Sequence, residues 1–238
     1  MTIFLTSIVP FYKKGIFGIK RPAKLDNTNN FSDNLVSSLK NTNRFVMIAN
    51  DPEAFLENDK RAKMMKKSFA KTGIKFKETI VLDKRKQDKA KDIVSGADLV
   101  VLCGGECLRE LKFFESINLA ELLSDFKGVI IGISAGAMNL GKIVANFPED
   151  EMGKDEPRWL EGLGLYSGIL IPHFDGVFYQ FELEFDTVQE YILPMSEWHD
   201  FVAIPNLSYI LINKNGEKIY GDAFKISKRV VTKINWKL

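Results

Sequence analysis

Val129-Ile130-Ile131-Gly132-Ile133-Ser134-Ala135-Gly136-Ala137-Met138-Asn139 is the stretch that decides the fold of this chain. Its apolar start shows no polar alternation, as expected of a strand covered on both faces. The strand runs straight into a Gly-x-Ser-x-Gly turn, and the small residues after it predict a helix over 135–145. Glycines on both flanks let the chain turn tightly and lift Ser134 above the carboxyl edge of a parallel sheet. There its hydroxyl lies beside the first free amides of a helix, a natural place to stabilise an oxyanion. A plain strand-to-helix turn with serine as the helix cap gives the same pattern. The motif alone leaves both readings open.

A second segment favours the chemical reading. Asp98-Leu99-Val100-Val101-Leu102-Cys103-Gly104-Gly105-Glu106 is another apolar strand, ending in two glycines before a helix. In a parallel sheet it ends at the same edge as Ser134, where ligands bind. The amide of Gly105 or Glu106 there would join that of Ala135 as an oxyanion hole. A serine nucleophile needs a base, and the chain has two histidines. His173 follows Ile169-Leu170-Ile171-Pro172, at a strand end able to face the active edge, whereas His199 lies among charges in Glu197-Trp198-His199-Asp200. Triad logic selects His173.

Outward from these motifs, short apolar runs alternate with longer amphipathic ones. Strands are expected at 2–8, 45–49, 79–82, 99–103 and 128–133, and helices at 31–40, about 52–71, between 82 and 99, and at 108–123. Such alternation predicts parallel strands joined by right-handed crossovers, with helices on both faces. After Asn146 a loop rich in Asp, Glu, Pro and Gly precedes a further apolar run over 163–172, a helix around 181–193 and short strands from Phe201 to Ile234. Lys214-Asn215-Gly216-Glu217 reads as a hairpin turn, so the tail is expected to add antiparallel strands to the sheet. The expected fold is a three-layer α/β/α domain over residues 1–238, with a mainly parallel sheet.

Composition narrows the function. Of 238 residues, 45% are hydrophobic and 27% charged, and the net charge of +2 calls for neither nucleic acid nor an anionic membrane as partner. Two basic runs, Lys60 to Lys67 and Lys84 to Lys91, read as solvated faces of amphipathic helices. The two cysteines, Cys103 and Cys107, suit a reduced, cytoplasmic protein, and with two distant histidines they make a poor zinc set. No apolar run approaches the roughly 18–20 residues of a membrane span. The first ten residues read as a strand ended by Pro10, without a basic leader. No phosphate loop or Gly-x-Gly-x-x-Gly is present, and no cofactor or metal is expected.

Gly104-Gly105, then Gly132-Ile133-Ser134-Ala135-Gly136-Ala137, then Gly164-Leu165 and Pro172-His173-Phe174 together resemble the peptidase E (aspartyl dipeptidase) and cyanophycinase family. The resemblance spans the first strand to the Pro205 region. It implies a class I glutamine-amidotransferase-like (flavodoxin-like) fold and a serine hydrolase cleaving a small peptide or amide as monomer or homodimer. Ser134 is then the nucleophile, His173 the base, and the amides near Gly105 and Ala135 the oxyanion hole. For the third triad member it leaves Glu149 and Asn206, with Asp150, Glu151 and Asp175 as neighbouring acids. The chain departs from the family at three places. Glu106-Cys107 replaces Asn-Thr after the double glycine, Pro205-Asn206 replaces Pro-Glu, and Phe185-Asp186-Thr187-Val188 carries no arginine to read an aspartyl carboxylate. Glu106 at the mouth is expected to bear on substrate binding and to disfavour acidic substrates by like-charge repulsion. The rival expectation is a binding or sensory protein that keeps the fold without a competent triad. An amidotransferase is disfavoured, because those enzymes use cysteine where this chain has Ser134.

Overall fold

In the computed structural model, which describes residues 1–15, 18–147, 159–175 and 187–234, strands and helices alternate up to the Ser134 turn. β1 (Thr2–Thr6) is followed by an antiparallel pair, β2 (Tyr12–Lys14) and β3 (Lys20–Pro22), and by α1 (Phe31–Ser38). Next come β4 (Arg44–Ile48), α2 (Phe55–Lys71), β5 (Glu78–Leu82), α3 (Ala90–Ser95) and β6 (Leu99–Leu102). The run closes with α4 (Cys107–Ser116), α5 (Leu119–Ser124), β7 (Val129–Ile133) and α6 (Ala135–Met138). The strands of this run lie parallel in the order β1-β7-β6-β4-β5.

Period-two alternation divides these strands between two cores. Ile3, Leu5, Val46, Ile48, Val100, Leu102 and Ile130 face one side, where Ile93, Phe113, Phe114, Leu119 and Leu123 of α3, α4 and α5 cover them. Phe4, Phe45, Met47, Leu99, Val101, Val129 and Ile131 face the other, against Phe31 and Leu35 of α1 and Ala62, Met65 and Phe69 of α2. Burial on both faces is why these strands are continuously apolar, and it makes the three layers.

The tail divides as well. After β8 (Ile143–Ala145) and β9 (Trp159–Glu161), which pair with each other, come β10 (Ile169–Ile171), β11 (Phe201–Ala203), β12 (Tyr209–Asn213), β13 (Gly216–Tyr220), β14 (Ala223–Ser227) and β15 (Val230–Ile234). β12 pairs antiparallel with β1, and β13 with β12, so this hairpin extends the main sheet as expected. Its two-residue loop is Lys214-Asn215, and Gly216 supplies the positive φ of 104°. The other strands form a separate sheet, β10-β11-β14-β15. Ile169, Ile171, Phe201, Ala203 and Ile226 gather there with Phe174, Val188 and Ile192 in an apolar cluster of their own.

Three helices differ from the sequence expectation. The helix expected over 108–123 is two, broken at Asn118, whose φ of 52° is left-handed. The helix expected over 135–145 ends at Met138, and β-branched Ile143 and Val144 go into β8 instead. Of the helix around 181–193, residues 181–186 lie outside the described set, and helical turns cover Val188–Ile192 and Leu193–Met195.

Gly136, on the first turn of α6, lies against the end of β6. A Cβ there would stand 2.5 Å from the Leu102 carbonyl oxygen and 2.7 Å from that of Cys103. Backbone atoms at the edge of a sheet cannot swing aside. Gly136→Ala should therefore destabilise the protein by about 1–3 kcal/mol or more. Urea unfolding checks this, and an unchanged midpoint would refute the close packing of elbow and β6.

Candidate active site

Register brings the site together. Thr6 of β1 is level with Ile133 of β7, and Leu102 of β6 with Gly132, so Ser7, Cys103-Gly104 and Ser134 emerge side by side at the carboxyl edge. Ser134 has φ 52° and ψ −119°. Such backbone geometry costs about 1–3 kcal/mol for a residue other than glycine and persists only where the surroundings enforce it. Here its N–H donates to the Thr6 carbonyl at 2.9 Å, while its own carbonyl accepts from Ala137 and Met138 at 2.9 and 3.0 Å. Its side chain makes no capping bond to α6, which sets aside the helix-cap reading. The hydroxyl instead lies 2.9 Å from Nε2 of His173.

His173 follows β10 and also has a positive φ, 56°. Its backbone N–H donates to Ser7 Oγ at 3.0 Å, and Ser7 Oγ donates to the Ile204 carbonyl at 2.8 Å. Ser7 is fully buried. Sequence reasoning missed it, although a Thr-Ser pair closing an otherwise apolar first strand was the available signal. On the far side of the ring, Nδ1 lies 2.7 Å from Oδ1 of Asn206. An amide oxygen can only accept, so this contact places the ring proton on Nδ1 and leaves the Nε2 lone pair for the serine proton. The backbone N–H of Asn206 donates in turn to Oδ1 of Asp175 at 2.9 Å. Glu149, Asp150 and Glu151 lie outside the described residues. His199 is elsewhere, its ring centroid 4.4 Å from that of Trp159.

The double glycine packs against the nucleophile. A Cβ on Gly104 would sit 2.8 Å from Ser134 Cβ, and one on Gly105 would strike the Asn50 side chain. α4 and α6 begin just after Gly105 and Ser134, so the unpaired amides that every helix start leaves are available at both. Glu106 departs from expectation. It is exposed, it is not among the residues lining the cleft at Ser134, and its carboxylate pairs with Arg109 at 3.0 Å. That guanidinium, shared with Asp51 at 2.8 Å, offsets part of the Glu106 charge. Cys103 is buried and free, and burial pushes its thiol up to about 11, so it stays protonated and inert at neutral pH.

A cleft of about 840 Å³ opens over Ser134 and His173. Val9, Phe11, Met64 and Met65 give it apolar walls, and among the described lining residues Lys20, Lys60, Arg61, Lys63 and Lys67 set five cations against the carboxylate of Glu57. The first basic run is therefore not simply a solvated face; α2 turns it toward the cleft. Among the described residues no cluster of His, Cys, Asp or Glu could hold a metal ion, and no helix is long and apolar enough to cross a membrane.

Residues 23–219 match peptidase family S51. The chain belongs to this family of serine-type peptidases. Two solved structures share the fold of this chain. A peptidase from an acI-B1 Actinobacterium superposes with a TM-score of 0.66 at 17% identity, covering 98% of this chain and 93% of its own. A candidate peptidase E protein from Listeria monocytogenes EGD-e gives 0.59 at 16% identity, covering 92% and 96%. No curated protein sequence matches the chain. At these identities the two structures speak for the fold alone, and the chemistry of this S51 chain is argued from its own geometry.

The Ser7 hydroxyl is the one side-chain acceptor for the backbone of His173. Ser7→Ala should let the imidazole drift and slow reaction of Ser134 with a fluorophosphonate probe roughly tenfold to a hundredfold, the scale set by small misplacements of reacting groups. Labelling at the wild-type rate would show that His173 is positioned by other contacts.

Proposed function

We propose that this S51 peptidase cleaves short acidic peptides through an acyl-enzyme on Ser134. The observation that carries the reading is the 2.9 Å contact between the strained Ser134 hydroxyl and His173 Nε2. In the first step Oγ attacks the scissile carbonyl carbon while its proton passes to Nε2. The tetrahedral oxyanion takes hydrogen bonds from the amides of Gly105 and Ala135. Collapse breaks the C–N bond, and the imidazolium returns the proton to the leaving amine. Water, deprotonated by the same nitrogen, then releases the acyl group and restores the serine.

Asn206 is the third member in this scheme. It fixes the tautomer without supplying charge, so it supports the imidazolium less than a carboxylate would. A change from Asp to Asn in a serine triad lowers turnover about 10⁴-fold where it also disturbs the tautomer. Here the amide oxygen keeps the right tautomer, and slow turnover is the expected consequence. The same residue favours the second reading, a binding protein with an impaired triad.

Substrate class follows from the cleft. Among the described lining residues, five cations around one carboxylate favour an anionic substrate, with Arg61 suited to bidentate recognition of a carboxylate.

Fluorophosphonate labelling separates the two readings without requiring the substrate. Labelling should be lost in Ser134→Ala, fall sharply in His173→Ala and be unaffected in His199→Ala; an unreactive wild type would leave the binding-protein reading. Asn206→Asp should react faster than wild type, and a slower reaction would show that the neutral amide is not the limiting feature. Against a library of short peptides, acidic sequences should be cleaved first, and Arg61→Glu should raise KM for them more than it lowers kcat.

A further inference from the structure

Glu110 and Asn139 are both fully buried, and neither enters the chemistry above. Glu110 lies one turn into α4, the helix that begins after the double glycine, and Asn139 directly follows α6, the helix that begins after Ser134. Asn139 Nδ2 donates to Glu110 Oε2 at 2.9 Å and to the Cys107 carbonyl at 3.2 Å. Both amide hydrogens are thereby used. Two oxygens remain, Glu110 Oε1 and Asn139 Oδ1, buried and without a partner among the described residues. Buried polar atoms in native proteins nearly always find one, so each unpaired pair of acceptors asks for a missing donor. An ionised carboxylate has none to give, whereas a carboxylic acid carries one proton and pairs with a primary amide through two bonds, one in each direction.

We propose that Glu110 is a positioning residue: as a neutral carboxylic acid it forms a two-bond pair with the Asn139 side chain and clamps the start of α4 to the end of α6. The inference rests on the acyl-enzyme reading, because what the clamp fixes is the spacing of the two helix starts whose amides hold the oxyanion. Its surroundings suit the neutral form. Burial pushes the Glu110 carboxyl well above the ordinary range, against the smaller opposing effects of the Asn139 hydrogen bond and of Arg61. From the packed elements, the charged and titratable groups acting on it are Arg61 of α2 and the Cys103 thiol after β6, itself neutral. α6 contributes only uncharged side chains.

The sign of the pH dependence follows. Above the usual carboxyl range the unfolded chain has lost the proton that the native protein keeps, so stability falls as pH rises through that window. Glu110→Gln preserves one donor and one acceptor at every pH. It should keep kcat and KM near wild type and remove Glu110's share of the stability decline. Glu110→Leu removes the pairing; its kcat should fall roughly tenfold or more, the scale of a small misplacement, with KM little changed. Should Glu110→Leu fail to fold, Asn139→Asp serves instead, since a second acid in the same site should steepen the loss of stability with pH.

Two measurements test the clamp: chemical unfolding from mildly acidic to alkaline pH, and labelling or hydrolysis rates of the folded variants. A stability-versus-pH slope unchanged by Glu110→Gln, or a Glu110→Gln enzyme as slow as Glu110→Leu, overturns the proposal. The unfolding measurement needs no activity. An inactive wild type with the predicted slope change would therefore sink the acyl-enzyme reading while leaving the acid–amide pair standing.

Discussion

The end of β1 holds the site in place. The Thr6 carbonyl accepts the Ser134 N–H, and the next residue, Ser7, accepts the His173 N–H through its hydroxyl. Ser134 and His173 come from distant parts of the chain, each with a positive φ that its own sequence does not favour. A single dipeptide braces both. β1 can do this because it lies at the centre of the sheet, with β7 on one side and β12 on the other, and Phe4 and Leu5 just before the brace are fully buried. The Thr6 side chain adds to it by donating to the Gly132 carbonyl at 2.8 Å, within the turn itself. The strain at Ser134 is thus opposed by burial and hydrogen bonding that would be lost together if the turn relaxed.

This arrangement fixes position well and charge poorly. The His173 ring is oriented by an amide, and the Asp175 carboxylate accepts from the Asn206 backbone. Among the described residues, the hydrogen bond to the His173 ring on that side comes from an amide dipole and not from a charge. The cations of α2 lie on the same cleft and disfavour added positive charge there; on the reading proposed above, an anionic substrate would offset them. Substrate charge and catalytic competence become linked: a bound carboxylate offsets the field that would otherwise disfavour the imidazolium. An acidic substrate is then a partner in the electrostatics as well as a shape to be held.

The Gly-x-Ser-x-Gly turn, the double glycine and the Pro172-His173 strand end were legible because each is local, a strand end with a definite backbone requirement. The main sheet was legible for the same reason, through its uninterrupted apolar runs. Ser7 and the Asn139–Glu110 contact were not, because they join segments far apart in sequence and involve residue types common at a strand end or on a helix. The ends of α4 and α6 were misjudged because apolar periodicity continues past Asn118 and Gly141, where the backbone turns away. The second sheet was missed because short apolar strands look alike whichever sheet they join, and only the cluster around Phe201 and Ile226 tells them apart.

The basic run on α2 shows how a surface feature takes its meaning from packing. Ala62, Met65, Ser68 and Phe69 are the buried stripe that seats the helix, and their spacing alone determines which residues look outward. Once Phe69 is locked edge-on against Phe11 and Phe45, at centroid distances of 5.4 and 5.1 Å, Lys60, Arg61, Lys63 and Lys67 have no choice of direction. Arg61 is further held by its hydrogen bond to Asn50, the side chain that also crowds Gly105. On the reading proposed above, the residue that attracts the substrate's charge meets Asn50, the side chain packed beside the glycine proposed to hold the oxyanion.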